Sequence, residues 1–110
     1  MVLFTPDDEA KLRDKFITPG EQAFERKLTG QPRQNVIFEA GMALAKYTST
    51  TVLVRVGSLR PMSDVGGLHI LHLADSAASR KQFVSKLKIA GVVLNDDGDD
   101  WLRAGDFDSL

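Results

Sequence analysis

Gln34-Asn35-Val36-Ile37-Phe38-Glu39-Ala40-Gly41-Met42-Ala43-Leu44-Ala45-Lys46-Tyr47, followed after three hydroxyl residues by Thr51-Val52-Leu53-Val54-Arg55-Val56, sets the class of fold. The first run places apolar residues at 36, 37, 40, 44 and 45 and so predicts a helix over 34–47. Gly41 inside it weakens the helix by about 1 kcal/mol relative to alanine. A glycine kept there points to close approach of another backbone or a ligand. The second run is β-branched and almost wholly apolar, which predicts a strand over 51–56 buried on both faces of a parallel sheet. An earlier apolar run at 1–5, stopped by Pro6 and Asp7, reads as another buried strand. Strand, helix and strand in that order form a crossover unit, and its two strands lie parallel.

The flanking sequence extends the alternation. Asp7 or Asp8 as a cap predicts a helix through Phe16, with Ala10, Leu12, Phe16 and Ile17 as a thin apolar pattern. Residues 18–34, punctuated by Pro19, Gly20, Gly30 and Pro32, read as a long mobile surface loop. Residues 57–67 are a second loop, and 68–73 a further apolar strand interrupted by His69 and His72. Ser76 caps a helix over 76–90 that Gly91 stops. A short edge strand is expected at 92–94, then an acidic turn at 95–100 and a tail at 101–110 in which Trp101 packs over the last helix. The expected class is α/β, a parallel sheet flanked by helices.

Composition excludes more than it assigns. At 110 residues the chain is one domain at most. Hydrophobic content of 43% with 26% charged residues is that of a folded globular chain. The formal net charge is -1 and the fourteen Lys and Arg are interleaved with acids, so no basic field draws the chain to nucleic acid. Without cysteine there is no disulfide, thiolate metal site or thiol nucleophile. The two histidines have no acidic neighbours at ligand spacing, so no structural metal is expected. Three positions apart in a strand, they face opposite sides. Asp96, Asp97, Asp99 and Asp100 around Gly98 lack the spacing and closing Glu of a calcium loop and read as a solvated turn. Ser63 and Asp64 either reach the sheet rim or close a turn. No run of about 20 apolar residues is present, so no membrane partner is expected and the expected compartment is the cytoplasm.

Glu39 is the residue that asks for chemistry. A lone ionised carboxylate in an apolar setting must reach solvent, find a partner, hold its proton or face a ligand. Asn35, Glu39, Met42 and Lys46 fall on one helical stripe, which fits a narrow solvated edge equally well. In an open parallel sheet, ligands sit beyond the carboxyl ends of the strands, here the turns at 5–7 and 57–59. Arg33, Gln34 and Asn35 at the helix start offer a guanidinium, amide donors and unpaired backbone N–H groups to a phosphate. Helix capping and surface hydrogen bonding explain Arg33 and Asn35 as well. Glu39 lies roughly 6 Å along the helix axis from Asn35, placed to meet a ribose, and is expected to face the rim near Thr5 and Asp7.

The run Gln31-Pro32-Arg33-Gln34-Asn35-Val36-Ile37-Phe38-Glu39-Ala40-Gly41 resembles an element of the bacterial TIR-like predicted nucleotide-binding domains of anti-phage effectors that respond to cyclic nucleotides. Leu3-Phe4-Thr5-Pro6-Asp7-Asp8-Glu9-Ala10, Thr51-Val52-Leu53-Val54 and Leu59-Arg60-Pro61-Met62-Ser63-Asp64-Val65-Gly66-Gly67 extend the likeness over nearly the whole chain. It implies a TIR/flavodoxin-like sheet of order 2-1-3-4-5, with residues 1–5, 51–56 and 68–73 as its third, fourth and fifth strands. Such domains carry roughly half a domain before the Thr-Pro-Asp-Asp segment, so a partial domain over 1–110 lacking the first two strand–helix units is expected, with an open edge at 1–5. The resemblance also implies a substrate and a role. Active members cleave NAD+ at the nicotinamide N-glycosidic bond, which would make Glu39 catalytic and NAD+ a substrate with no separate cofactor; Thr5, Asp7, Arg33 and Asn35, at the rim and the helix start, are then the expected nucleotide-binding residues, and a homo-oligomer that covers the edge at 1–5 is the expected assembly. The alternatives are a non-catalytic nucleotide-binding or assembly module and, more remotely, a nucleoside deoxyribosyltransferase-like enzyme.

Overall fold

A computed structural model of the chain describes residues 1–62 and 68–110. In chain order the elements are β1 (Val2–Phe4), β2 (Asp8–Ala10), a 3-10 turn (Asp14–Phe16), α1 (Ala23–Arg26), β3 (Thr29–Gln31), α2 (Gln34–Lys46), β4 (Leu53–Arg55), β5 (Ile70–His72), α3 (Ala77–Ile89) and a second 3-10 turn (Asp100–Arg103). The sheet has the order β1-β4-β5, and both pairings are parallel. Phe4 stands opposite Arg55, and Arg55 opposite His72. This is the α/β class and the neighbour order expected from the sequence, with the bounds of α2 and α3 within a residue of those expected and β1 as an open edge among the described residues.

Strand alternation divides the core between two faces. Phe4, Ala40 and Leu53 are buried together on the α2 side, with Val2, Val36, Leu44, Leu59, Met62 and Ile70 packed around them. On the other side Val52, Val54, Val56 and Leu73 meet Phe83 and Leu87 of α3 and, beyond it, Phe107. Val54 is fully buried at the centre, as a parallel strand covered on both faces requires. The buried run outlasts the formal strand, because Val2 N–H donates to Val52 O at 2.8 Å and Val56 N–H to Phe4 O at 2.9 Å. Ser76 caps α3 by accepting the Ser79 N–H at 3.1 Å, and Gly91 follows its end at φ +99.

Three sequence expectations are corrected. The helix expected from Asp7 or Asp8 to Phe16 is instead β2 and a single 3-10 turn. Its segment is too charge-rich for an apolar stripe, with Phe16 left 55% exposed, and about ten residues make a marginal helix unless packing supports it. The loop expected over 18–34 contains α1 and β3, and β3 pairs antiparallel with β2 so that Glu9 stands opposite Gly30. That pairing joins residues some twenty apart and leaves no local period to read. No strand forms at 92–94, where Val93 is almost fully exposed and no neighbour supplies a ladder. The expectation for Ser63 and Asp64 lies outside the described residues.

Past α3, the second 3-10 turn lies against that helix, and Trp101 Nε1 donates to the carbonyls of Asp96 at 2.8 Å and Gly98 at 3.1 Å. Asp75, just beyond β5, accepts the Phe107 N–H at 3.0 Å and the Asp108 N–H at 3.2 Å. The Phe107 N–H, with the Asp108 N–H and the Arg80 guanidinium, holds the Asp75 carboxyl below its ordinary range despite some desolvation. A carboxylate whose folded value is depressed contributes stability above its unfolded value, and that contribution is lost as pH falls through the folded one. The Phe107 amide shift in an NMR titration is therefore expected to change with a midpoint below that of an unperturbed aspartate. A midpoint at or above the unperturbed one would contradict these contacts.

Candidate functional site at the carboxyl ends of the strands

The turn after β1 is built around Asp7. Thr5 Oγ1 donates to Asp7 Oδ1 at 2.8 Å, and the Asp7 N–H donates to the Thr5 carbonyl at 2.9 Å. Arg33, the residue preceding α2, places Nε 3.0 Å from Asp7 Oδ2. Thr5, Asp7 and Arg33 thus form one small network that ties the start of α2 to the rim. The pair is open to solvent, with side-chain exposures of 70% for Arg33 and 36% for Asp7, so it adds little to stability. An anion can therefore compete for the guanidinium at low cost.

Asn35 and Glu39 are not joined to that network. Both are exposed, and neither makes a side-chain hydrogen bond or ion pair with any described residue. Glu39 lies about 100° round α2 from Ala40, which is buried against Phe4. Glu39 thus sits on a flank of the helix, exposed and without a hydrogen-bond or ion-pair partner among the described residues.

The hairpin of β2 and β3, unforeseen from the sequence, closes over the rim. Gly30 makes this possible: a Cβ there would lie 2.7 Å from both Pro6 Cβ and the Ser58 carbonyl oxygen. The Arg60 N–H donates to Gly30 O at 2.8 Å, and Arg60 Nη2 meets Glu25 Oε2 at 2.6 Å in a largely buried pair beside the Phe24 ring. Because one contact is backbone, Gly30→Ala must displace the hairpin or the 58–60 turn, at a cost of about 1–3 kcal/mol. The urea midpoint should fall accordingly, whereas Gly20→Ala, at a position open to solvent, should leave it nearly unchanged.

Beside these turns lies a hollow of about 290 Å³ bounded by Arg55 and Arg60 and by the apolar side chains of Phe4, Leu59, Pro61, Met62 and Ile70. Arg55 is half-buried and pairs with no described acid. Sequence reasoning passed over it, although a lone cation in an otherwise apolar central strand is a readable signal. A more open hollow of about 470 Å³, lined by His69, Leu71, Lys81, Gln82, Ser85 and Lys86, flanks β5 and α3 and holds none of the motif residues. For a parallel sheet the carboxyl rim is the better ligand site.

The family model for the TIR domain of the CAP12/Pycsar effector protein matches residues 1–75. The chain belongs to this TIR-domain family. No curated protein and no solved structure gives a significant match. The matched span of this TIR-family chain runs from β1 past β5 and includes Thr5, Asp7, Arg33, Asn35 and Glu39, while α3 and everything after it lie outside. Membership gives the domain a TIR-type role in anti-phage defence.

Proposed function

We propose that this TIR-type domain cleaves NAD+ at the bond between ribose C1′ and the nicotinamide nitrogen. The observation that carries the reading is Glu39, a carboxylate with no described partner on the helix whose start Arg33 ties to the rim. As the C–N bond breaks, its electron pair leaves with the nicotinamide nitrogen and the ribose ring develops oxocarbenium character. A carboxylate next to C1′ stabilises that charge or traps it as an ester, and water then completes ADP-ribose with release of a proton. Arg33 and Asn35, with the helix start, would hold the phosphates, and Thr5 and Asp7 would position Arg33. NAD+ is the substrate, and no further cofactor is invoked.

The reading includes assembly of like chains. The edge of β1 is open, and Phe38 and Met42, 71% and 58% exposed, present an apolar outer face on α2. Unpaired edges and apolar patches of this kind are ordinarily covered. No helix among the described residues is long and apolar enough to cross a membrane, and the cytoplasm, where NAD+ is held, is the proposed compartment. The same open edge favours a second reading, a nucleotide-binding or assembly module without turnover, because an unpaired strand edge is itself a surface for pairing with another chain.

Nicotinamide release from NAD+, measured per chain over a range of protein concentrations, separates the two. Turnover that rises with concentration supports an assembled nucleosidase. Binding of ADP-ribose without nicotinamide release at any concentration supports the module.

A further inference from the structure

The carboxyl ends of β4 and β5 are covered by residues 104–110. The buried Arg80 guanidinium anchors the segment, donating from Nε to the Ala104 carbonyl at 3.0 Å and from Nη2 to the Gly105 carbonyl at 3.0 Å and Asp75 Oδ1 at 2.8 Å. Asp75 binds the Phe107 and Asp108 N–H groups, and the Asp75 N–H donates to Asp108 Oδ1 at 3.2 Å. The Phe107 ring lies 5.0 Å from the Arg80 guanidinium and packs on the cluster of Val52, Val54, Val56 and Leu73. Leu110 ends against Gly57, where a Cβ would lie 2.9 Å from the Leu110 carbonyl oxygen and 3.2 Å from Pro6 Cγ. The segment therefore crosses from α3 over β5 and β4 to the turn that precedes Asp7.

Its attachment is concentrated. Phe107 is half-buried, the other six residues are exposed, and no ladder pairs the segment to a strand among the described residues. Segments held by few buried contacts open locally at a free energy far below that of global unfolding. The segment lies beyond residues 1–75, the span matched by the family model.

We propose that residues 104–110 are a releasable strap, latched by Asp75 and Arg80, which closes the rim between the Gly57 turn and Asp7 and must move aside before a dinucleotide can lie across it. The ligand class rests on the nucleotide reading of the rim given above; the strap itself rests on the contacts of Asp75, Arg80 and Phe107. A closed strap lowers apparent affinity by the fraction of molecules that are open, so weakening it tightens binding without any new contact.

The test is amide hydrogen exchange on the full chain with and without ADP-ribose, for the wild type and Phe107→Ala. In the wild type, ADP-ribose should accelerate exchange at Phe107 and Asp108 while Val54 stays protected. In Phe107→Ala, exchange at 107 and 108 should rise and ADP-ribose affinity should increase by about tenfold for a strap closed nine-tenths of the time. Strap amides equally protected with and without bound ADP-ribose would overturn occlusion, and this arm needs no variant. Exchange at 107 and 108 that occurs only together with Val54, in either chain, would make the segment part of the core and overturn release. Fast strap exchange in Phe107→Ala with no ADP-ribose binding would instead refute the nucleotide reading and support a strap that opens independently of it.

Discussion

Phe4→Ala is expected to cost about 3–5 kcal/mol of stability, a large share of the roughly 5–15 kcal/mol that holds a domain of this size together. Phe4 is 2% exposed and sits where β1, α2, β4 and the loop after β4 meet, packed with Ala40, Leu53, Leu59 and Met62. Its removal leaves a cavity that the edge strand fills poorly, because β1 has a ladder partner on one side only. Leu3 lies on the same strand but faces the other way and is 43% exposed. Leu3→Ala should therefore cost under about 1 kcal/mol. Urea unfolding of both variants gives the comparison directly, and similar losses would mean that β1 does not present Phe4 to the α2 side.

The second large effect is on turnover. Under conditions where the wild type releases nicotinamide from NAD+, Glu39→Gln should lower the rate by a factor of about 10² or more. The amide keeps the size and hydrogen-bonding reach of the side chain but carries no charge to stabilise the oxocarbenium-like state. Glu39 is exposed and makes no side-chain hydrogen bond or ion pair with a described residue, so the substitution should leave the unfolding midpoint unchanged and ADP-ribose affinity nearly so. A drop in turnover accompanied by an equal loss of stability would make Glu39 structural. Unchanged turnover would remove it from the chemistry.

The parallel sheet could be read from the chain because its signals are local. The β-branched run at 51–56 and the apolar periodicity of 34–47 each declare their own element, and Ser76 and Gly91 bracket α3. The hairpin of β2 and β3 could not be read in this way, since Glu9 and Gly30 become neighbours only after the intervening chain has folded. Within the site, the sequence brought Thr5, Asp7 and Arg33 to the same rim, and the structure links them through Asp7. It did not show that Arg33 meets an acid of its own chain before any ligand. The roles of Arg60 and Asp75 were hidden, because each depends on a partner far away in sequence, Glu25 for Arg60 and the Phe107 N–H for Asp75.

The central claim is that the ligand lies on the carboxyl rim beside the start of α2. Amide chemical-shift mapping during titration with ADP-ribose tests it most directly. The largest changes are expected at Thr5 and Asp7, at Arg33 and Asn35, and at Gly57 and Ser58, with those at Phe107 and Asp108 following as the strap moves. Changes centred instead on His69, Lys81 and Lys86, around the hollow flanking β5 and α3, with the rim amides undisturbed, would contradict it.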